Sequence, residues 1–183
     1  MLDWRSERGK IEAEANTFAS FLLMPLDDFR AQVQSASITI DLMRHLSNRY
    51  EVSVTAAILK WLSITDKRAM IVIGKEGFID WAWSSEPLIR SGVYYRARQE
   101  VVPLPPESLA AIQDLLADNE AGTRHPVGVW LGDESVYEMT VFSPVNEMSI
   151  SLLIYPNDAP SRRWGHDLGE PRDWDTFDQF TVG

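Results

Sequence analysis

The sequence predicts an α+β fold, with an N-terminal helical segment followed by an antiparallel sheet carrying one main packing helix. Three observations lead there. Residues 11–62 place apolar side chains at helical spacing, and residues 69–155 carry short β-type runs divided by turn signals. Between those runs a single helical stripe, over 107–117, interrupts the strands. Consecutive strands joined by short turns favour antiparallel pairing with the helix laid on one face.

The helical part comes first. Ile11, Ala15, Phe18, Ala19 and Leu22 form one apolar stripe over 11–23, which Pro25 stops. A second helix is expected near Pro25-Leu26-Asp27-Asp28-Phe29, with acids in its first turn. Ile40, Met43 and Leu46 mark a third helix, and Val54, Ala57, Ile58 and Trp61 a fourth. Ser53 stands where an N-cap belongs.

From about residue 66 the pattern changes. Ala69–Ile73 and Phe78–Trp83 flank Gly74-Lys75-Glu76-Gly77, a hairpin signal. Val93–Ala97 is a third expected strand, and 126–131, 136–142 and 149–155 are three more. Pro103, Pro105 and Pro106 lead into the 107–117 helix, striped by Leu109, Ile112, Leu115 and Leu116. Residues 157–183 are rich in Asp, Arg, Gly and Pro, punctuated by Trp164, Trp174, Phe177 and Phe180. The expected divisions are 1–64, 65–156 and a tail over 157–183.

Composition narrows the function classes. The chain of 183 residues is 45% hydrophobic with seven Trp, enough to build a core. It has no cysteine, which removes disulfides and thiolate chemistry and suits a reducing cytosol. The N-terminus has no apolar h-region and no run is long enough to span a bilayer, so a cytoplasmic protein without membrane contact is expected. A net charge of −10 disfavours phosphate backbones and suits a basic protein partner.

The most specific stretch is Glu12-Ala13-Glu14-Ala15-Asn16-Thr17-Phe18-Ala19-Ser20-Phe21-Leu22-Leu23-Met24-Pro25. It resembles the signature helix of ImmA/IrrE-type zinc metallopeptidases, roughly E-x-E-A-N-x-F-A-x-x-L-L-M-P. Leu46-Ser47-Asn48-Arg49-Tyr50-Glu51-Val52-Ser53 is similar to the L-A-x-R-Y-x-V-S stretch that follows in that family. The resemblance covers roughly residues 7–62. It implies a zinc held by two His of an H-E-x-x-H helix and by a signature-helix Glu, with the Glu of H-E-x-x-H as general base. Carried onto this chain, the third ligand would be Glu14, with Glu12 as the fallback.

The rest of that set is missing. The chain has three histidines, His45, His125 and His166, none with a second His four residues away or an adjacent Glu in H-E order. Two His must sit at i and i+4 to reach one metal from one helical face. In the family the His motif precedes the signature helix, yet only thirteen residues precede Glu14. The chain is therefore read as a fragment of a complete peptidase or a natural truncation that kept recognition and lost catalysis. No catalytic residue and no cofactor is expected in it; zinc is implied only for the complete family domain.

The resemblance also implies a partner, a helix-turn-helix repressor that the complete protein would cleave. The alternative is a stand-alone acidic binding protein, an antirepressor or inhibitor that occupies a basic surface. Direct DNA binding is not expected: the second helix of the helix-turn-helix-like unit, Val54 to Leu62, is apolar with only Lys60 basic, whereas base readout needs exposed polar side chains. Residues 66–156 are of the size of a GAF- or PAS-like domain, which some members of the family carry. As a sensor, that domain would line a ligand pocket with Trp81, Trp83, Tyr94 and Trp130.

Overall fold

A computed structural model of the chain describes residues 18–95, 97, 100–112, 120–143 and 146–157. The chain divides into two units, Met1–Ala36 with Trp164–Gly183, and Ser37–Arg163.

In the first unit α1 is helical over its described residues, 18–23, and α2 spans Leu26–Val33. Pro25 lies between them as the α2 N-cap, in an extended conformation that ends one helix and opens the next. Asp27 and Asp28 fall in the first turn of α2, where the helix dipole favours negative charge. Met24 and Phe29 are buried, whereas Phe18, Phe21, Leu22 and Leu23 are exposed.

The second unit opens with α3 (Ile40–Tyr50) and α4 (Val54–Leu62). Thr39 caps α3 by accepting from the Leu42 N–H at 3.1 Å, and Ser53 caps α4 by accepting from the Ala56 N–H at 3.0 Å. Glu51 ends α3 in the left-handed region, at φ 53°, the conformation usually given to glycine at that position. Ile40, Met43 and Leu46 are the buried stripe of α3, and every residue of α4 from Ala57 to Leu62 is buried.

The sheet follows: β1 (Ala69–Lys75), β2 (Phe78–Ser84), β3 (Val102–Pro103), β4 (Thr123–His125), β5 (Val136–Ser143) and β6 (Met148–Ile154). Two short helices interrupt it, α5 (Glu86–Arg90) and α6 (Leu109–Ile112). The strand order is β3-β2-β1-β6-β5-β4, all neighbours antiparallel. β1 lies at the centre, and its residues 69–74 are buried on both faces. Glu76 and Gly77, at φ 52° and 84°, turn β1 into β2; two positive values suit the right-handed strand twist.

Register sorts the side chains. Met70, Val72 and Gly74 share a face with Leu153, Ser151 and Ser149 of β6, and through them with Glu138 and Thr140 of β5. Leu88 of α5, Ala110 of α6, Leu104, Val129 and Trp130 pack on that first face. Ile71 and Ile73 share the second face with Leu152 and Ile150. With the first face filled from α5, α6 and the loops, α3 and α4, which reach β5 and β1, cover the second. The unit is thus three-layered and α+β.

Among the described residues two expected strands do not form. The segment after α5 turns at Gly92, and Val93 is tied by its N–H to the Leu88 carbonyl and by its carbonyl to the Ser84 hydroxyl instead of a ladder; the strand is the two-residue β3 further on. The 126–131 run is irregular: Pro126 offers no N–H, and Gly128 and Gly132 take φ values of 95° and 97°. The strand there is β4, which ends where Pro126 begins. The helix expected over 107–117 is described only as Leu109–Ile112. The aromatic residues of the tail lie outside the described residues.

Among the described residues no helix is long and apolar enough to cross a membrane.

Candidate functional site

The signature segment is described only from Phe18. Glu12 and Glu14, the expected zinc ligands, lie outside the described residues. What is described is an apolar helix face turned to solvent: Phe18 and Leu22, one turn apart, are 69% and 66% exposed, with Phe21 and Leu23 beside them.

The two described histidines, His45 and His125, lie on different elements. His45 lies on the exposed side of α3. His125 is buried at the end of β4, with Nε2 2.8 Å from Glu138 Oε2. His166 is outside the described residues. Among the described residues no group of three or more His, Asp or Glu converges as a metal site, and a zinc site needs at least three protein ligands. The donors among the described residues do not by themselves make up a catalytic zinc set.

The helix-turn-helix-like unit is consumed by packing. Lys60, the single basic side chain of α4, is itself only 4% exposed. α4 is buried from Ala57 to Leu62. Glu51 takes the left-handed turn that glycine usually supplies, so the turn geometry survives the replacement.

The four aromatic ligand candidates fall in different places. Trp81 and Trp83 pair with Ile73 and Ile71 on the second face, after a bulge that sets Ile79 opposite Gly74. Trp130 lies on the first face and is 3% exposed. Tyr94 is half-buried in the segment after α5. The sheet therefore brings Trp81 and Trp83 together and separates them from Trp130.

The polar centre of the unit is one that the motif search missed. Glu138, fully buried on β5, accepts from the Leu109 N–H and the Trp130 indole at Oε2 (3.2 and 2.8 Å), and from the Ala110 N–H and the Thr140 hydroxyl at Oε1 (3.2 and 2.9 Å). Ser151 Oγ stands 3.2 Å from the same Oε1 and 2.8 Å from Thr140 Oγ1. Two hydroxyl protons serve three contacts, so they alternate. His125 Nε2 approaches Oε2 closely but makes no aligned hydrogen bond. Nearby, Tyr95 has its hydroxyl pushed up to about 12, first by burial, with a further rise from the Glu138 charge. The signal was present in Val136-Tyr137-Glu138-Met139-Thr140, where alternation puts Glu138 on the same face as Val136.

A second buried pair closes one end of this face. Arg68 makes a two-pronged pair with Glu134, donates to the Pro156 carbonyl at 2.7 Å and to Ser91 Oγ at 2.8 Å, and lies over the Tyr155 ring. Tyr155 in turn donates to the Leu131 carbonyl at 2.9 Å; its hydroxyl is held well above the usual tyrosine range, first by burial.

The described residues thus give an exposed apolar helix, carrying the end of the signature segment, and an antiparallel α+β unit. Residues 5–62 match the family model of the IrrE N-terminal-like domain, peptidase M78, which supports the similarity of this segment to the ImmA/IrrE type. That family is one of zinc metallopeptidases; the match covers about a third of the chain. No curated protein matches the sequence.

Proposed function

We propose that the chain is the recognition and sensing portion of an ImmA/IrrE-like regulator whose complete form cleaves a helix-turn-helix repressor, and that these residues alone do not cut peptide bonds. The observation that carries this is the coexistence of the signature segment with three histidines at positions 45, 125 and 166, none at helical spacing from another. A zinc-bound water needs two imidazoles and a base, and this sequence offers none of those in register. Residues 1–64 are then the remnant of the peptidase domain, and 65–156 a GAF-like sensor. The antiparallel strand order, with helices on both faces, supports the sensor reading. The lack of cysteine suits a cytoplasmic setting.

Incubation of the purified chain with candidate repressors, followed by intact mass, tests the proposal. Retention of a repressor without any new fragment is the expected result; clean cleavage at one bond overturns it. The net charge of −10 favours a second reading, a stand-alone antirepressor that occupies a basic surface. In that case binding to the repressor weakens steeply with salt and competes with the repressor's DNA.

A further inference from the structure

Glu138 is surrounded in a way that asks for a ligand. Its two oxygens meet two backbone N–H groups, an indole N–H, two hydroxyls and an imidazole nitrogen. These come from α6, the loop after β4, β4 itself, β5 and β6. Among the described residues no Arg or Lys is paired with it, so the cradle is assembled from neutral, fixed donors and the imidazole. The Leu109 and Ala110 N–H groups are first-turn donors that a helix cannot satisfy internally; here a carboxylate 28 to 29 residues away in sequence satisfies them. His125 Nε2 is buried, aimed at the same oxygen and without an aligned partner.

We propose that this cradle is a carboxylate-binding site occupied in cis by Glu138, and that its occupancy latches α6 and the 126–131 loop onto the sheet. The chemistry is that of a receptor for one small carboxylate, supplied by the chain's own strand. Trp130 and the α6 amides are the two parts that the carboxylate joins to β5. Without it, buried donors on both parts lose their acceptor together, and each orphaned donor favours opening towards water. The inference stands whether or not the ImmA/IrrE reading holds, because it rests only on the second unit.

The test uses the full chain and two variants, Glu138→Ala, which empties the cradle, and Glu138→Gln, which fills it with an amide. Hydrogen exchange is followed at 105–112 and 126–131 against β1 and β6. In Glu138→Ala the expected result is a loss of protection of about ten-fold or more at the Leu109 and Ala110 amides and the Trp130 indole N–H, with β1 and β6 changed far less. Formate or acetate, against chloride at matched ionic strength, restores that protection and raises the melting temperature of Glu138→Ala, but leaves the wild type and Glu138→Gln unmoved. No rescue of folded Glu138→Ala by either acid overturns the binding site. If Glu138→Ala does not fold, Glu138→Gln decides: selective loss at α6 and the loop supports the latch, and loss spread evenly over the sheet overturns it.

Discussion

Replacing Arg68 with Met removes the guanidinium that joins β1 to the 131–134 loop and to the chain after β6, while keeping most of the side chain's bulk. The Arg68 and Glu134 side chains are 8% and 17% exposed, so the carboxylate left behind is largely cut off from water. The Pro156 carbonyl and Ser91 Oγ lose their donor in the same step. Removing one partner of a buried pair costs about 3–5 kcal/mol. Glu134 keeps some exposure and rehydrates in part, which places Arg68→Met near the lower end, about 3 kcal/mol. For a chain of this length that is a fall of about 6–12 °C in melting temperature. Urea unfolding read by tryptophan fluorescence is the assay, with an unchanged slope showing that stability alone has moved. Pairing it with Glu134→Leu completes a cycle. The double variant should recover about 1–3 kcal/mol relative to the sum of the singles, because the orphaned charge has gone. A cost below about 1 kcal/mol for Arg68→Met, or simple additivity in the double variant, refutes the claim that the pair acts as one clamp.

Three further outcomes follow from the same geometry. Tyr95 is raised to about 12 in the folded state, so its neutral hydroxyl contributes stability that is fully present below pH 10 and lost as pH rises through about 12. The loss amounts to about 2–3 kcal/mol; pH-dependent unfolding should show it, and Tyr95→Phe should blunt it. Gly74→Ala puts a Cβ 2.4 Å from Ser149 Oγ and 2.8 Å from Leu104 Cδ1, and should cost about 1–3 kcal/mol in urea unfolding. Glu51→Gly relieves a left-handed residue at φ 53° and should stabilise the chain by about 0.5–1 kcal/mol in the same assay, the gain reduced by the freer unfolded chain.

The elements that were readable from sequence are those in which local chemistry and tertiary packing agree. Ser53 capping α4, the apolar α3 stripe and the two-residue Glu76-Gly77 turn are all decided within a few residues. The elements that were missed are those decided at long range. Val93–Ala97 has the composition of a strand, but the Val93 backbone is claimed by Leu88 and Ser84. In the run 126–131, Val127, Val129 and Trp130 look β-like, yet Pro126 and the positive-φ Gly128, with Gly132 just beyond, break the ladder. α5 has five residues and no periodicity to detect. The site divides in the same way. The signature segment was legible because its identity is a contiguous string. The Glu138 cradle was not, since its donors are spread from 109 to 151 and meet only when β5, β6 and α6 are in place. The aromatic grouping rested on composition: register sets Trp81 and Trp83 on the second face, whereas Trp130, in a loop, packs on the first.

Zinc content bears most directly on the idea that this polypeptide carries a peptidase signature without the means to hold the metal. The full chain, purified and dialysed against metal-free buffer, should retain far less than one equivalent of zinc by elemental analysis and show no tight site on titration. One firmly held equivalent, lost in Glu14→Gln and in a variant of any of His45, His125 or His166, would contradict it.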